Sequence, residues 1–321
     1  MKLLVTGAAG FIGSAFVRRI MNLYSKEIES ITVVDNLSAS KDFYALNSLR
    51  NNPKVRIIEA DISSTHSFNE VILHADYLVH FAAESHVDNS ILGPRKFIET
   101  NVLGTLSLLE KARLNKKLRF LQVSTDEVYG SMDKTRASEN FPLKTSSPYS
   151  ASKASSDLLV QSFHSSFGLD TVTTRSVNNF GPFQLPEKLI PKAVTNLILG
   201  RKIPVYGSGL QMREWIYVDD NCDGIWRALI NGVSGEIYNL TSKNCIRNLE
   251  LLRLVLSFFN KSEDQIEYVT DRLGHDFRYS VDGAKARTEL NFTVENEFNV
   301  ALESTVKWYV DNQSWWQKYI K

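Results

Sequence analysis

Residues 2–23, KLLVTGAAGFIGSAFVRRIMNL, join a short apolar run to a glycine cluster and then to apolar residues at helical spacing. That order reads as a strand over Lys2–Thr6, a tight turn and a helix. Downstream, the β-rich runs SITVVD, VRIIEAD and YLVHFAA end at Asp35, Asp61 and Ala83. A helix from about Phe97 to Arg113, a strand RFLQVST ending at Thr125, a helix after Ser150 and a strand DTVTTRS ending at Ser176 continue the alternation. Strands alternating with helices build a parallel sheet, and seven strands fit an open, doubly wound α/β architecture. After Gly181, prolines 182, 186, 191 and 204 break the pattern, which places a smaller C-terminal lobe there. The expected division is residues 1–180 for the first domain, with EWIYVDDNCDGIWRALI and GEIYNL returning to it from about 212–242, and 181–321 mainly for the lobe.

The 321 residues are 43% hydrophobic and 23% charged, with a net charge of +1, the profile of an ordinary globular chain. No basic excess marks a nucleic-acid partner, and no apolar run reaches the roughly 20 residues of a spanning helix. Cys222 and Cys245 stand far apart without zinc spacing, and His66, His74, His80, His86 and His164 show no metal pattern. The expectation is a cytoplasmic protein with no metal, no nucleic acid and no membrane contact.

Gly7, Gly10 and Gly13 fall between the first strand and the first helix. There glycines permit a tight turn and close approach of backbone N–H groups to a pyrophosphate at the helix N-terminus. Asp35 ends the second strand, where a carboxylate accepts ribose hydroxyls and repels a 2′-phosphate, so NAD is favoured over NADP. Asp61 and Ile62, at the next strand end, are placed at the adenine edge. Tyr149 and Lys153 in YSASK are an i, i+4 pair on one helix face, close enough for an ammonium to depress the phenol pKa and make a base. Upstream, STDEVYG puts Thr125, Asp126 and Glu127 at a strand end on the same side of the sheet.

Together GAAGFIG, AAESHVD, STDEVYG, YSASK, NNFGPFQLPEKLIP, YGSGLQMREWIYVDD and DRLGHDFRYSVD resemble the extended short-chain dehydrogenase/reductase family, and within it the dTDP-glucose 4,6-dehydratases. The resemblance implies a Rossmann domain with a smaller nucleotide-sugar-binding lobe, and a lyase of deoxysugar biosynthesis. It implies that NAD is held by the glycine turn with Phe11 and Ile12, by Asp35, Asn36, Leu37 and Ser38, by Asp61 and Ile62, by Phe81, Ala82, Ala83 and Glu84, and by Thr100, Tyr149, Lys153 and Asn179. It assigns Tyr149 with Lys153 to the O4 proton, Thr125 to the developing O4 charge, Glu127 to the C5 proton and Asp126 to the leaving C6 hydroxyl, with NAD+ reduced and reoxidised within the cycle. The substrate would meet Ser85, Thr125, Asn178, Lys188, Leu189, Pro204, Tyr206, Arg213, Asn248, Arg272 and His275.

Asn89, Val177, Leu273 and Phe277 depart from the family pattern, the last two beside Arg272 and His275. A homodimer is implied through helices equivalent to Phe97–Arg113 and Ser150–Phe167. The aromatic-rich tail VKWYVDNQSWWQKYI is expected to bury against the first domain or a partner. A dehydratase of UDP-glucose or of a UDP-N-acetylhexosamine, a 4-epimerase, and a non-catalytic NAD sensor are the alternatives. The Asp126–Glu127 pair argues against the epimerase, and the presence of Tyr149 and Lys153 against the sensor.

Overall fold

β1 (Lys2–Thr6) is buried from Leu3 onward, because in a sheet covered on both faces every position of a central strand meets apolar neighbours. The structure, a computed structural model, describes residues 1–320. Further strands follow as β2 (Ser30–Asp35), β3 (Val55–Glu59), β4 (Tyr77–His80), β5 (Arg119–Thr125), β6 (Asp170–Ser176), β7 (Asn178–Phe180), β8 (Ile203–Tyr206), β9 (Met212–Tyr217), β10 (Ile237–Leu240), β11 (Cys245–Arg247) and β12 (Ile266–Val269). The seven-stranded sheet has the order β10-β6-β5-β4-β1-β2-β3, with every pair parallel. This is the Rossmann-type α/β fold expected from the sequence. The order reverses beside β1, and in such sheets ligands sit outside the carboxyl ends of the strands at that switch.

Helix Phe11–Leu23 buries Phe16, Val17 and Ile20 against one face of this sheet, a contribution of roughly 1.5–3 kcal/mol per large side chain. Helix Val218–Asn231 packs beside it, and Arg19 clasps Asp223 with a paired hydrogen bond at 2.7 and 3.0 Å. GEIYNL supplies β10 at the edge of the large sheet. Residues 212–217, in contrast, form β9 of a separate three-stranded sheet, β11-β9-β7. A second apolar core, which includes Ile190, Trp215, Leu252, Leu302, Tyr309, Trp315 and Trp316, lies under that sheet and the parallel pair β12-β8. The aromatic tail therefore buries mainly in its own lobe, with only its last residues reaching the first domain. Among the described residues no helix is long and apolar enough to cross a membrane.

Two helical elements depart from sequence expectation. The stretch read as one helix from Phe97 to Arg113 is helix Pro94–Phe97, a π-helical turn over Ile98–Gly104, and helix Thr105–Ala112. The π turn lets Asn101 point inward, where it exchanges two hydrogen bonds with the backbone of Glu84 and donates to Ser152. The helix read as following Ser150 starts earlier, at Pro148, under a Ser147–Ser150 capping box. Its buried face is built of serines, because Ser152 and Ser156 satisfy their hydroxyls on backbone carbonyls and let the helix approach β5 and the π turn closely.

Behind β5, Arg175 is 2% exposed and donates to the fully buried Asp157, which also receives Ser124; Arg175 reaches Tyr129 as well. Removing one member of a buried pair leaves an uncompensated charge, which costs about 3–5 kcal/mol. Arg175→Met is expected to lower unfolding free energy by about that amount in urea titration, and Arg175→Met with Asp157→Leu to recover most of it.

Candidate active site

A cleft of about 430 Å³ opens at the carboxyl ends of the central strands and is closed on its far side by the C-terminal lobe. All the sequence-predicted site residues line it except Leu37 and Asp61. Leu37 instead gives its backbone N–H to Asp35, and Asp61 holds the Asn36 amide and the Ser63 N–H outside the cleft. At that edge the wall is made by Asn36, Ala60 and Ile62.

The glycine turn is fixed by sterics. Gly7 has φ +72°, and a Cβ there would lie 2.4 Å from the Ala82 nitrogen, while one on Gly13 would lie 2.3 Å from the Gly7 carbonyl. No side chain caps helix Phe11–Leu23, so its first amides are left for a ligand in the cleft. Asp35 accepts from Ala9 and Leu37 and keeps free lone pairs; burial lifts its pKa while these N–H groups oppose the rise. Thr6 and Thr105 hold the buried His80, whose pKa falls to about 3 by burial, with Lys153 adding, so the ring is neutral and structural. A dinucleotide fits these features: amides for the pyrophosphate, and for the ribose a carboxylate of the kind that repels a 2′-phosphate.

At the end of β5, Thr125 caps the short helix Asp126–Tyr129 by accepting from the Glu127 N–H at 3.2 Å. Asp126 is 2% exposed and its Oδ2 has no protein partner. Burial pushes its pKa well above the usual carboxylate range, with the charges of Glu127 and Glu214 adding. Glu127 is raised by burial too, but Arg272, Arg213 and Lys188 pull it back. The dipeptide is thereby split by its surroundings, Asp126 biased toward its protonated form and Glu127 less so because it faces cations, the kind of difference that an acid and a base require.

Tyr149 stands one helical turn before Lys153 and packs edge-on against Phe97. Lys153 donates to the Val123 carbonyl at 2.8 Å, and burial lowers its pKa to about 8 against the opposing charge of Asp157. The depressed phenol expected from the ammonium is not what the structure shows. Burial and the Glu127 charge raise the Tyr149 pKa, and the Thr125 hydroxyl only partly offsets them.

The lobe contributes Lys188, whose ammonium donates to the Ser85 carbonyl at 2.9 Å, and Arg213, buried over the Tyr279 ring at 4.3 Å. Arg272 stands 3.6 Å from Asp88, which also accepts from Tyr206, and His275 is paired with Asp271. Buried polar atoms without a protein partner gather here: Asn179 Oδ1, Asn248 Oδ1 and Arg272 Nε. Such atoms are satisfied by a polar ligand, and the three cations suit a diphosphate. Sequence reasoning missed Asp88 and Tyr279, which line the cleft, and Asp276, which accepts from Tyr279. All three stand in quoted motifs, SHVD and DRLGHDFRYSVD, where attention to residue types other than cations would have found them. Among the described residues no group of His, Cys, Asp and Glu could hold a metal ion.

A family profile described as GDP-mannose 4,6 dehydratase matches residues 4–305. The dTDP-glucose 4,6-dehydratase of Streptomyces antibioticus is 44% identical over 99% of this chain and 95% of its own. The crystal structure of a double mutant of DesIV, the dTDP-glucose 4,6-dehydratase of Streptomyces venezuelae, with NAD bound, superposes with a TM-score of 0.97 at 42% identity, covering 99% of this chain and all of the other. A UDP-glucuronic acid 4-epimerase from Bacillus cereus in complex with UDP-glucuronic acid and NAD has a TM-score of 0.89 at 25% identity, covering 97% of this chain and 99% of that one.

Because the folded-state pKa of Asp126 lies above its unfolded value near 4, its favourable contribution is complete below about pH 4 and is lost as pH rises through the folded value. Asp126→Asn is therefore expected to be more stable than wild type at pH 8 and to lose that advantage toward pH 5, by up to about 1.4 kcal/mol per pH unit, read from urea midpoints.

Proposed function

The chain belongs to the family described as GDP-mannose 4,6 dehydratase, and from that premise we propose that it is an NAD-dependent lyase converting dTDP-glucose to dTDP-4-dehydro-6-deoxy-glucose for deoxysugar biosynthesis. The observation that carries this reading is the split pair Asp126–Glu127 at the floor of a cleft with dinucleotide and diphosphate features. A 4-epimerase needs only a proton relay at O4, whereas elimination of water across C5 and C6 needs a second acid and a second base.

When bound, the dinucleotide would supply in its oxidised form the hydride acceptor for C4 and a positive charge that favours the Tyr149 phenolate, and in its reduced form the hydride donor for C6. The glycine turn and Asp35 hold it. Tyr149 takes the O4 proton, with Thr125 donating to the oxygen as charge develops there. Lys153, fixed by Val123, steadies the phenolate electrostatically. The 4-keto group acidifies the C5 proton, which Glu127 removes. Asp126, kept protonated by burial, hands its proton to the C6 hydroxyl as it leaves as water. Glu127 then returns a proton to C5 as C6 is reduced. Lys188, Arg213 and Arg272 take the diphosphate charge, and Pro204 and Tyr206 face the base.

The enzyme is further proposed to act as a homodimer in the cytoplasm. Ile98, Leu103, Leu158 and Phe167 are exposed on the π turn and helix Pro148–Phe167, elements that pack against each other and leave an apolar face for a second copy.

With dTDP-glucose, mass spectrometry is expected to show a product lighter by one water; an unchanged mass with an inverted C4 centre would replace the lyase by an epimerase. Glu127→Gln is expected to lower turnover about 10²–10⁴-fold while C4 oxidation still registers as absorbance of the reduced nicotinamide, and Tyr149→Phe to suppress both. Light scattering should give twice the chain mass for wild type and a shift toward monomer for Leu158→Glu.

A further inference from the structure

The loop after β2 forms the wall of the cleft beyond Asp35, through Asn36, Ser38, Ala39 and Ser40. Two of its non-glycine residues, Leu37 at φ 58° and Lys41 at φ 60°, sit in the left-handed region, which side chains adopt only where the surroundings hold them there. Its own domain restrains the ends of the loop, with Leu37 N–H on Asp35 and Arg18 on the Ala45 carbonyl at 2.8 Å. Its middle has short-range hydrogen bonds of its own, from Lys41 N–H to the Leu37 carbonyl and from Tyr44 N–H to Asp42, and is restrained from the other lobe as well. Lys318 reaches Asp42 at 2.6 Å, Lys41 donates to the Lys318 carbonyl at 3.0 Å, and the Tyr319 hydroxyl donates to the Ser40 carbonyl. Both lysines also lie over the Tyr319 ring, at 5.3 and 5.1 Å, and Lys318 over Tyr44 at 5.3 Å.

The reaching segment is firmly rooted. Trp315 and Trp316 of helix Gln313–Gln317 are buried in the core of the C-terminal lobe, and Trp316 Nε1 donates to the Tyr309 carbonyl at 2.8 Å. The same lobe carries Lys188, Arg213 and Arg272. A rigid anchor in the substrate lobe therefore grips the loop over the ribose end of the dinucleotide site.

We propose that residues 315–320 form a clasp that retains the dinucleotide, with Lys318 and Tyr319 as positioning residues that act through the loop 36–45. This rests on the reading of the cleft as an NAD site. The chemistry makes retention consequential, because a hydride removed from C4 must be kept at the site until C6 of the same sugar is ready for it. An adenosine loop that opened freely would release the reduced dinucleotide and strand the keto sugar.

The test compares wild type with Lys318→Ala/Tyr319→Phe, both mild changes at the surface end of the segment. NAD+ released from the loaded proteins is captured by alcohol dehydrogenase and ethanol and timed. Loss of one charge-assisted contact and one hydrogen bond is expected to speed release about tenfold. At saturating NAD+, KM for dTDP-glucose is expected to stay at the wild-type value, while the share of turnovers that end with free reduced dinucleotide rises with the release rate. Lys318→Asp should release as fast as the double variant, and adding Asp42→Lys should restore slow release by rebuilding the pair in reverse. Release from Lys318→Ala/Tyr319→Phe at the wild-type rate, or a charge exchange that restores nothing, would overturn the clasp. A wild-type protein that takes up no NAD+ would instead remove the reading of the cleft on which the clasp rests.

Discussion

Two adjacent carboxyl groups at the end of a buried strand cannot both be ionised at little cost, and the chemistry of this cleft follows from how the fold resolves that conflict. β5 is buried from Phe120 through Thr125, so the chain leaves the sheet in a desolvated place and enters the short helix Asp126–Tyr129. Asp126 faces burial and two acidic neighbours, Glu127 and Glu214. Glu127 faces the cations brought by the second lobe. One residue step therefore separates two carboxyl groups with different surroundings, and the cations that distinguish Glu127 come from the second lobe.

Holding that arrangement requires the catalytic helix to lie close against the strand. Serines in place of large apolar residues on helix Pro148–Phe167 make this approach possible, and the π turn at Ile98–Gly104 supplies Asn101, which ties the loop after β4 to Ser152. The buried Asp157–Arg175 pair fastens the same helix to β6. Two polar networks behind the site, one through Asn101 and one through Asp157, thus fasten this helix. Such a network is costly to breach, since each member is desolvated and depends on its partners.

Much of this was legible in the sequence because it is local. The glycine spacing, Asp35, the i, i+4 pair Tyr149 and Lys153, and the dipeptide after RFLQVST each state their geometry within a few residues, and the strand-helix alternation ordered them along one sheet edge. What was not legible depends on contacts between distant segments. The π turn keeps the apolar pattern of an ordinary helix, so nothing in residues 97–113 announces that Asn101 points inward. The ammonium of Lys153 was read from spacing as lowering the phenol pKa. Burial and the carboxylate of Glu127, set by tertiary structure, raise it. Asp61 accepts the Asn36 amide, a contact between separate strand ends that the sequence did not announce. The tail aromatics gave an amphipathic pattern but not the identity of the surface they cover.

The central claim is that oxidation at C4, loss of water and reduction at C6 occur in one closed cleft with the hydride kept throughout. Incubating the NAD-loaded protein with dTDP-glucose deuterated at C4, in the presence of excess unlabelled reduced dinucleotide, tests it directly by NMR of the sugar. The account predicts a 4-keto-6-deoxy product with deuterium at C6 and no dilution by the added pool. Deuterium found in the free dinucleotide, or retained at C4 of an epimerised sugar, would contradict it.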